Sequence, residues 1–451
     1  MRNHNLTHGQ PKYRKPAHLG FLTLLSCLTI MALNPAQAQF SINTEIRPRA
    51  EYRDGYKSLS TENSTAAIFV SQRSRLTLNF QQDRLRSSFS IQDVRVWGDE
   101  TLYSSTGMTG DNASIDVHEA WLQLDFLKCS SVKIGRQELK YDDQRLLAAR
   151  NWNQNSVTYD AFLYRLQRPD WLLDLVFSLN NDKENTFGNA YNSGKMKTLN
   201  FVYLQKKIRP ELTLSAIALG TGFTPDNRSE IIYMRGTYGA TLRYNREKMS
   251  MSGAGYYQNG KNRSGQPVSA YFFSMDFMQK MDPFVLGGGL NYLSGQDGLR
   301  SDADYQNTDH LFDILYGTRH TFFGSMDYFS NVPASTRNGG LIDLFLNSEY
   351  KFGKHKVCLD YHLFSLQNQV LDPTYEGSRV KTLDMVLGSE FDSSLDLTLM
   401  KGVLLQIGYS VMFPSESLEI IGGLTPGESD FCHWGWAMLT FKQTLFDSSK
   451  K

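Results

Sequence analysis

The sequence has 451 residues, of which 41% are hydrophobic and 12% aromatic, and its formal net charge is +1. The balance of 47 Lys and Arg against 46 Asp and Glu gives no reason to expect a nucleic acid as partner. Beyond the N-terminal segment, no run approaches the about 18 apolar residues of a membrane-spanning helix, so a place in a membrane would require a closed β-barrel.

The N-terminal segment has the three parts of a secretory signal. Basic residues between Arg2 and Lys15 precede an apolar run over residues 19–33, and Ala36-Gln37-Ala38 is a small-x-small cleavage site. We therefore predict that residues 1–38 are a cleaved signal peptide and that residues 39–451 form the mature protein. Two alternatives are a membrane anchor helix, for which the run is short, and lipoprotein processing at Cys27, beyond which the apolar run continues.

The first segment of the mature chain alternates in polarity. Even positions from Phe40 to Tyr52 carry apolar or neutral side chains, whereas odd positions from Glu45 to Arg53 are charged. Successive side chains of a strand point to opposite faces, so this pattern predicts a strand with one apolar and one charged face. A soluble sandwich buries the apolar face and a membrane barrel exposes it to lipid, and one strand alone fits both.

The rest of the mature chain also reads as strands, most of them about the 9–11 residues that cross a bilayer at a tilt. Short connections such as Glu247-Lys248 alternate with long ones such as 98–114 and 140–156. This alternation predicts an all-β fold: a single antiparallel transmembrane β-barrel of about 18 (16–18) strands, with short periplasmic turns and long extracellular loops. The predicted strands are 40–52, 68–81, 85–97, 115–126, 130–139, 157–167, 171–180, 197–206, 211–221, 235–246, 249–258, 269–280, 284–294, 341–352, 356–367, 381–392, 396–411 and 434–446.

Two segments near the C-terminus carry further expectations. The aromatic-rich last strand, 434–446, resembles the recognition signal of the barrel-assembly machinery, which we expect as a partner together with outer-membrane lipids. The longest connection, 295–340, is aromatic enough at 321–329 to contain a strand, or it is an ordered loop that folds over or into the barrel. We assign it as a loop, because a nineteenth strand would break the even count.

Standard catalytic and metal-binding motifs are missing from the sequence. It contains no G-x-S-x-G, H-E-x-x-H or Walker motif, so we predict neither an enzyme nor a cofactor. An acidic patch in the longest loop is compatible with a calcium site, but the spacing of an EF-hand is missing. A solvated loop is the simpler interpretation. The patch consists of Asp302, Asp304 and Asp309. The cysteines of the mature chain lack a C-x-x-C pair and predict neither disulfides nor zinc. They are Cys129, Cys358 and Cys432.

Arginine is the preferred cation in the first third of the mature chain. Residues 39–168 contain 13 Arg and 4 Lys, whereas the remainder contains 10 Arg and 16 Lys. A guanidinium binds carboxylates with fixed geometry, so arginines in the lumen could hand an anionic solute along the barrel. Alternatively, they form ion pairs with the 16 Asp and Glu of the same stretch and rigidify the wall. The strand arginines in question are Arg47, Arg49, Arg73, Arg75, Arg95, Arg136 and Arg165.

Two polar stretches resemble the alginate-export family of outer-membrane barrels in order and spacing. The first contains Gly135-Arg136-Gln137-Glu138-Leu139, Tyr141-Asp142-Asp143-Gln144-Arg145-Leu146, Asn151-Trp152-Asn153-Gln154 and Tyr159-Asp160-Ala161. The second contains Leu315-Tyr316-Gly317-Thr318-Arg319-His320, Gly324 and Met326-Asp327-Tyr328-Phe329. The resemblance implies an eighteen-stranded barrel whose arginine-rich constriction passes a polyuronate or a similar acidic solute. The residues that it adds to the predicted solute path are Arg136, Glu138, Asp142, Arg145 and Trp152.

These observations together predict a bacterial outer-membrane channel that passes anionic solutes, among them an acidic saccharide, through an arginine-containing lumen. Two alternatives remain. One is a general diffusion porin without substrate preference, which the same fold would provide. The other is an enzyme embedded in the barrel. It would need a nucleophile and a base at one rim, and the sequence shows no motif for such a pair.

Overall fold

The computed structural model describes residues 38–98, 114–189, 191–226 and 230–450. In this part of the chain, eighteen antiparallel strands form one closed sheet, in which each strand pairs with its neighbours in sequence and β1 also pairs with β18. The predicted fold class is confirmed. The strands are β1 Gln39–Asp54, β2 Ala67–Gln82, β3 Leu85–Val96, β4 Ser114–Leu127, β5 Ser130–Gln137, β6 Tyr159–Gln167, β7 Trp171–Leu179, β8 Thr198–Arg209, β9 Leu212–Phe223, β10 Tyr233–Arg246, β11 Met249–Gly260, β12 Ala270–Met281, β13 Phe284–Leu293, β14 Leu341–Phe352, β15 His355–Leu366, β16 Val386–Met400, β17 Val403–Pro414 and β18 Cys432–Asp447.

The connections sort by length onto the two ends of the barrel. Those that follow even-numbered strands have two or three residues, and those that follow odd-numbered strands are longer. The turn predicted at 393–395, between the predicted strands 381–392 and 396–411, was misplaced. These two strands correspond to β16 and β17, which are joined at Lys401-Gly402. The turn requires a left-handed residue, which Gly402 supplies with φ +78°, whereas residues 393–395 continue the strand. No helix in the described residues is long and apolar enough to cross a membrane.

The barrel exposes its apolar face and buries its charged face. In β1, Arg47 is 6% exposed and Glu51 2%, whereas Ile46 is 41% and Tyr52 37% exposed. In water this arrangement would be unfavourable, because apolar surface would be solvated while charges were desolvated. Lipid around the barrel removes the first penalty, and the polar partners inside compensate the second. The soluble sandwich is therefore excluded.

Two long connections fold into the lumen. We call residues 138–158, between β5 and β6, the inner loop, and residues 294–340, between β13 and β14, the long loop. Buried apolar residues of both loops and of the wall form one cluster, in which Leu147, Met326 and Phe329 have no exposed surface. The prediction that 295–340 is a loop is confirmed, and Tyr328–Asn331, in the aromatic part, is a short 3₁₀ helix. Other short helices span Ala303–Gln306, Val332–Ser335, Glu416–Ile421 and Ser448–Lys450.

Gly135 adopts a left-handed backbone conformation inside β5, two residues before the strand ends. Its φ is +118°, and a Cβ at this position would lie 2.2 Å from the carbonyl oxygen of Ala120 on β4. We expect Gly135→Ala to destabilise the barrel by about 1–3 kcal/mol, the typical cost of such backbone strain. The measurement is heat-modifiable migration on SDS gels as a function of temperature. Gly255→Ala on β11 is the matched control, because a Cβ there meets no atom within 4 Å. Equal melting of both variants would contradict this role.

Candidate functional site

Arg47 of β1 anchors the tip of the inner loop. Its guanidinium donates to the carbonyl oxygens of Asn151 (2.8 Å), Trp152 (3.3 Å) and Asn153 (3.3 Å), and to Oε1 of Gln154 (2.9 and 3.1 Å). All of these acceptors belong to the loop, and none is a carboxylate. Arg47 thus supplies hydrogen bonds to loop backbone that has no secondary structure of its own.

Three neighbouring arginines donate hydrogen bonds to the same loop. Arg73 of β2 donates to Oδ1 of Asn151 (3.0 Å) and Oγ of Ser156 (3.0 Å) and also pairs with Glu45. Arg49 donates to the carbonyl oxygen of Trp152 (3.0 Å) and pairs with Glu51 (2.9 Å). Arg75 donates to Gln92 (2.7 Å) and lies 3.5 Å from Oγ of Ser156. Three of these four predicted path residues, Arg47, Arg49 and Arg73, are at most 6% exposed, so they hold the loop rather than line an open path.

The middle of the inner loop is attached to the far wall. Asp142 accepts hydrogen bonds from Tyr203 of β8 (2.8 Å) and Ser215 of β9 (2.6 Å). Arg145 forms a bidentate pair with Asp276 of β12 (2.9 and 3.0 Å) and donates to Asn291 of β13. Attached to β1 and β2 at one side and to β8–β13 at the other, the inner loop spans the lumen and constricts it.

The two stretches that resemble the alginate-export family contact one another inside the barrel. Leu147 and Tyr316 form a parallel β-bridge, and Arg150 donates to the carbonyl oxygens of Tyr316 (3.1 Å) and Gly317 (3.0 Å). Gly317 is required for this approach, since a Cβ there would lie 1.8 Å from the carbonyl oxygen of Arg145. The motif residues therefore build the interface between the inner and the long loop.

Trp152 occupies the centre of an aromatic cluster. Its ring stacks on His320 of the long loop, with centroids 4.3 Å apart and an interplanar angle of 12°, and the guanidinium of Arg49 lies 4.3 Å from its centroid. Trp434 and Trp436 of β18 meet it edge-on at 5.8 and 5.0 Å. Each of these neighbours takes up ring surface, so Trp152 fixes the loop to the wall rather than offering a free platform for a sugar.

Two predicted path residues lie on the outward face. In β3, Arg95 shares its face with Phe89, which is 45% exposed, and it pairs with Asp93 (2.7 Å). In β5, Arg136 shares its face with Ile134, which is 54% exposed. Both were predicted to lie on the solute path, but strand residues an even number of positions apart share a face, and these two alternate with the luminal residues of their strands.

Arg136 nevertheless borders a cavity at the long-loop end of the barrel. It pairs with Asp160 of β6 (2.9 Å) and donates to the carbonyl oxygen of Val117 (3.2 Å). The cavity has a volume of about 450 Å³. It is lined by residues of β3–β6, by the end of the inner loop and by the connection between β7 and β8, and Gln92 and Ser156 are among its lining residues.

A second cavity, of about 210 Å³, lies where the inner loop leaves β5. Lys133, Lys140 and Arg165 line it together with Glu138. Although burial alone would raise the pKa of Glu138, hydrogen bonds from His118 and Lys140 hold it at about 2, so Glu138 is ionised throughout the physiological range. Sequence reasoning found Glu138 and Arg165 and missed both lysines. The signal was present: Lys133 alternates with Ile134 and shares the face of Ser131.

The acidic patch of the long loop has structural partners. Asp302 caps the helix Ala303–Gln306 through the backbone N–H of Tyr305 (3.1 Å), and Asp309 accepts from Asn262 (3.0 Å). Among the described residues, no group of three or more acidic, histidine or cysteine side chains is arranged to hold a metal ion. The calcium interpretation therefore lacks a ligand set.

Comparison with known proteins agrees with this architecture. A family model described as alginate export matches residues 38–185, while no curated protein matches the chain. The fold is that of bacterial outer-membrane channels. Three solved structures illustrate it. Acinetobacter baumannii OccAB2 is 13% identical with a TM-score of 0.57, and Pseudomonas aeruginosa OccK5 (OpdH) is 10% identical with 0.56; each comparison covers 90% of this chain and 98% of the other. P. aeruginosa OpdK, solved with vanillate, is 11% identical with 0.54, covering 90% and 99%.

Arg47 offers a direct test of the loop attachment. Arg47→Gln removes most of the donors to residues 151–154 and keeps the strand intact, so it should weaken the attachment by about 2–4 kcal/mol. We expect a larger single-channel conductance in planar bilayers, because the freed loop leaves the lumen. Arg95→Gln, on the outward face, is the control and should conduct as the native chain does. An unchanged conductance of Arg47→Gln would show that the loop does not set the constriction.

Proposed function

We propose that this barrel is an outer-membrane channel for small solutes that carry carboxylate groups. The observation that carries the proposal is the difference in exposure around the 210 Å³ cavity. The side chains of Lys140 and Arg165 are 53% and 38% exposed, whereas their partners Glu138 and Asp174 are 17% and 0% exposed. The cations thus face the lumen, and the carboxylates that balance them lie behind. A passing ion meets a positive surface although the side chains nearly balance in number.

Lys133 extends this positive surface. It lies on the luminal face of β5, with its ammonium group 3.9 Å from the ring centroid of Trp121. Guanidinium and ammonium groups bind carboxylates by charge-assisted hydrogen bonds. Alginate, which the matching family model names, and vanillate, with which OpdK was solved, are both carboxylated compounds. They support the same class of solute for this chain.

The occupied lumen favours small acids over a polymer. Both loops and their apolar cluster lie inside the barrel, and a polyuronate chain in transit would have to pass or displace them. Monomeric uronates, short oligomers and aromatic or aliphatic acids require no such movement. A general diffusion porin is the second candidate. Asp276 on the opposite wall, whose side chain is 26% exposed, favours it, because opposed charges across a constriction need not select for one sign.

Reversal potentials in planar bilayers under a salt gradient test the proposal. We expect anion preference in the native barrel, and a decrease of the anion-to-cation permeability ratio by about fivefold in the double variant Lys133→Gln/Lys140→Gln. The estimate takes about 0.5 kcal/mol for each of the two charges, half the value of about 1 kcal/mol for a unit charge at 4 Å in water, because salt screens exposed groups. The control is Lys401→Gln, in the turn between β16 and β17. It removes one positive charge at the end of the barrel and should change the permeability ratio little.

Cation preference of the native barrel would refute the proposal, and equal permeability would favour the general diffusion porin. Liposome swelling separates the solute classes. Glucuronate and benzoate should enter faster than glucose of similar size, and long alginate chains should not enter at all.

A further inference from the structure

Two carboxyl groups on the inner wall bind consecutive residues of the long loop. Glu390 and Asp392, which we call the carboxyl pair, lie on the luminal face of β16, and their side chains are within hydrogen-bonding reach of each other. The backbone N–H of Met326 donates to Oε1 of Glu390 (2.7 Å). The backbone N–H of Ser325 donates to Oδ2 of Asp392 (3.4 Å). The carboxyl pair therefore attaches the long loop to the wall.

The long loop shields the carboxyl pair from water. Glu390 has no exposed surface, and Asp392 is 5% exposed. Gly324, directly before the two donor residues, has a φ of +79°, and a Cβ there would lie 2.6 Å from Oε2 of Glu390. Farther along the loop, Phe329 packs on Phe364 of β15 with ring centroids 4.4 Å apart. Both carboxyl groups would meet the water of the lumen only if this part of the loop moved away.

Each carboxyl group of the pair has one oxygen without a hydrogen-bond partner. Oε2 of Glu390 and Oδ1 of Asp392 are buried, and neither accepts a hydrogen bond from the described residues. Two carboxylates that are in contact and away from water cannot both stay ionised, so such a pair retains one proton. A proton on one of these two oxygens makes that group a donor to the other, which satisfies both atoms.

No cation takes the place of that proton. Among the described residues, neither Glu390 nor Asp392 forms a salt bridge, and His362 of β15, opposite Glu390 in register, pairs with Asp343 of β14 (2.9 Å). The other groups that face the pair or its neighbours are Asp360 on β15, Ser410 and Met412 on β17, Asp327 with its partners His320 and Lys57, Tyr328, and Glu419 on the helix Glu416–Ile421. The carboxylates among them increase the cost of a second negative charge at the pair.

We propose that the carboxyl pair is a pH-dependent switch, which keeps the long loop in the lumen while Glu390 and Asp392 share one proton and releases the loop when that proton passes to solvent. Loss of the proton leaves two adjacent negative charges without water, which is unfavourable. Once residues 324–326 move away, water reaches both carboxylates and stabilises them. The closed arrangement binds the proton and the open one does not, so the loop is closed at low pH and opens as the pH rises. The switch changes the size of the lumen and does not depend on the proposed preference for acids.

Single-channel recording in planar bilayers from about pH 6 to about pH 9 tests the switch, with the state of larger conductance counted as open. In the native barrel we expect the ratio of open to closed time to rise with pH by up to about tenfold per pH unit, the limit for one proton released on opening. In Glu390→Gln, the amide keeps an oxygen for the N–H of Met326 and offers an N–H to Asp392 in place of the proton. This variant should therefore stay closed over the whole range.

Hydrogen exchange followed by mass spectrometry reports on the loop itself. In the native chain, exchange in the peptide that contains Met326 should rise with pH by more than the intrinsic rate does, and in Glu390→Gln it should not. Glu349→Gln is the matched control, because Glu349 of β14 pairs with Lys351 (2.9 Å) and Lys356 (3.4 Å) rather than with the long loop. It should keep the native pH response.

Asp392→Asn removes the other member of the pair and should also abolish the pH response, so it replaces Glu390→Gln if that variant does not fold. A native barrel whose open-to-closed ratio does not change with pH overturns the switch. A native pH response in both Glu390→Gln and Asp392→Asn overturns it as well. Loss of that response in His362→Gln would then assign the titration to the pair of His362 and Asp343.

Discussion

Any chain segment that enters the lumen of a barrel must find partners for its backbone polar groups, and this constraint organises the whole interior. The inner loop has no regular secondary structure to satisfy its own carbonyls. The wall supplies the donors instead. Arg47 and Arg73 can do so because one guanidinium carries several N–H groups at fixed angles and remains charged at any physiological pH. A lysine at either position would reach fewer acceptors.

The long loop depends on the inner loop in the same way. Arg150 donates hydrogen bonds to the carbonyl oxygens of 315–317, and the backbone N–H of Met326 donates to the buried carboxyl group of Glu390 on β16 (2.7 Å). Apolar residues of both loops also pack together in one cluster. Each buried Phe or Leu in it contributes roughly 1.5–3 kcal/mol, so the two loops form one folded unit inside the wall. The polar motifs that resemble the alginate-export family thus form the interface between the two loops.

The strands were predictable and the roles of individual charges were not. Alternation over ten or more residues and the sorting of short and long connections are local signals, and both follow from the geometry of a barrel wall. The face on which Arg95 or Arg136 lies depends on register, and a change of one residue reverses it. The sequence also could not distinguish an arginine that binds carboxylates from one that binds backbone carbonyls. Arg47 belongs to the second kind, and its acceptors are about 105 residues away in the chain.

Selectivity in such a lumen follows from exposure rather than from the number of charges. Counting the first third of the mature chain gives 17 cations and 16 anions, which predicts almost no net field. The structure separates them. Asp174 is fully buried behind Arg165, and Glu138 is mostly covered beside Lys140, so the luminal surface next to the inner loop is positive. Across the lumen, Asp276 is tied to Arg145 and is partly covered. A permeating ion responds to the charges it can approach within a few ångströms, because solvent and salt screen those farther away. Under the proposed function, the arginines near the inner loop mainly hold it in place, and the lysines beside it are the cations that a solute meets.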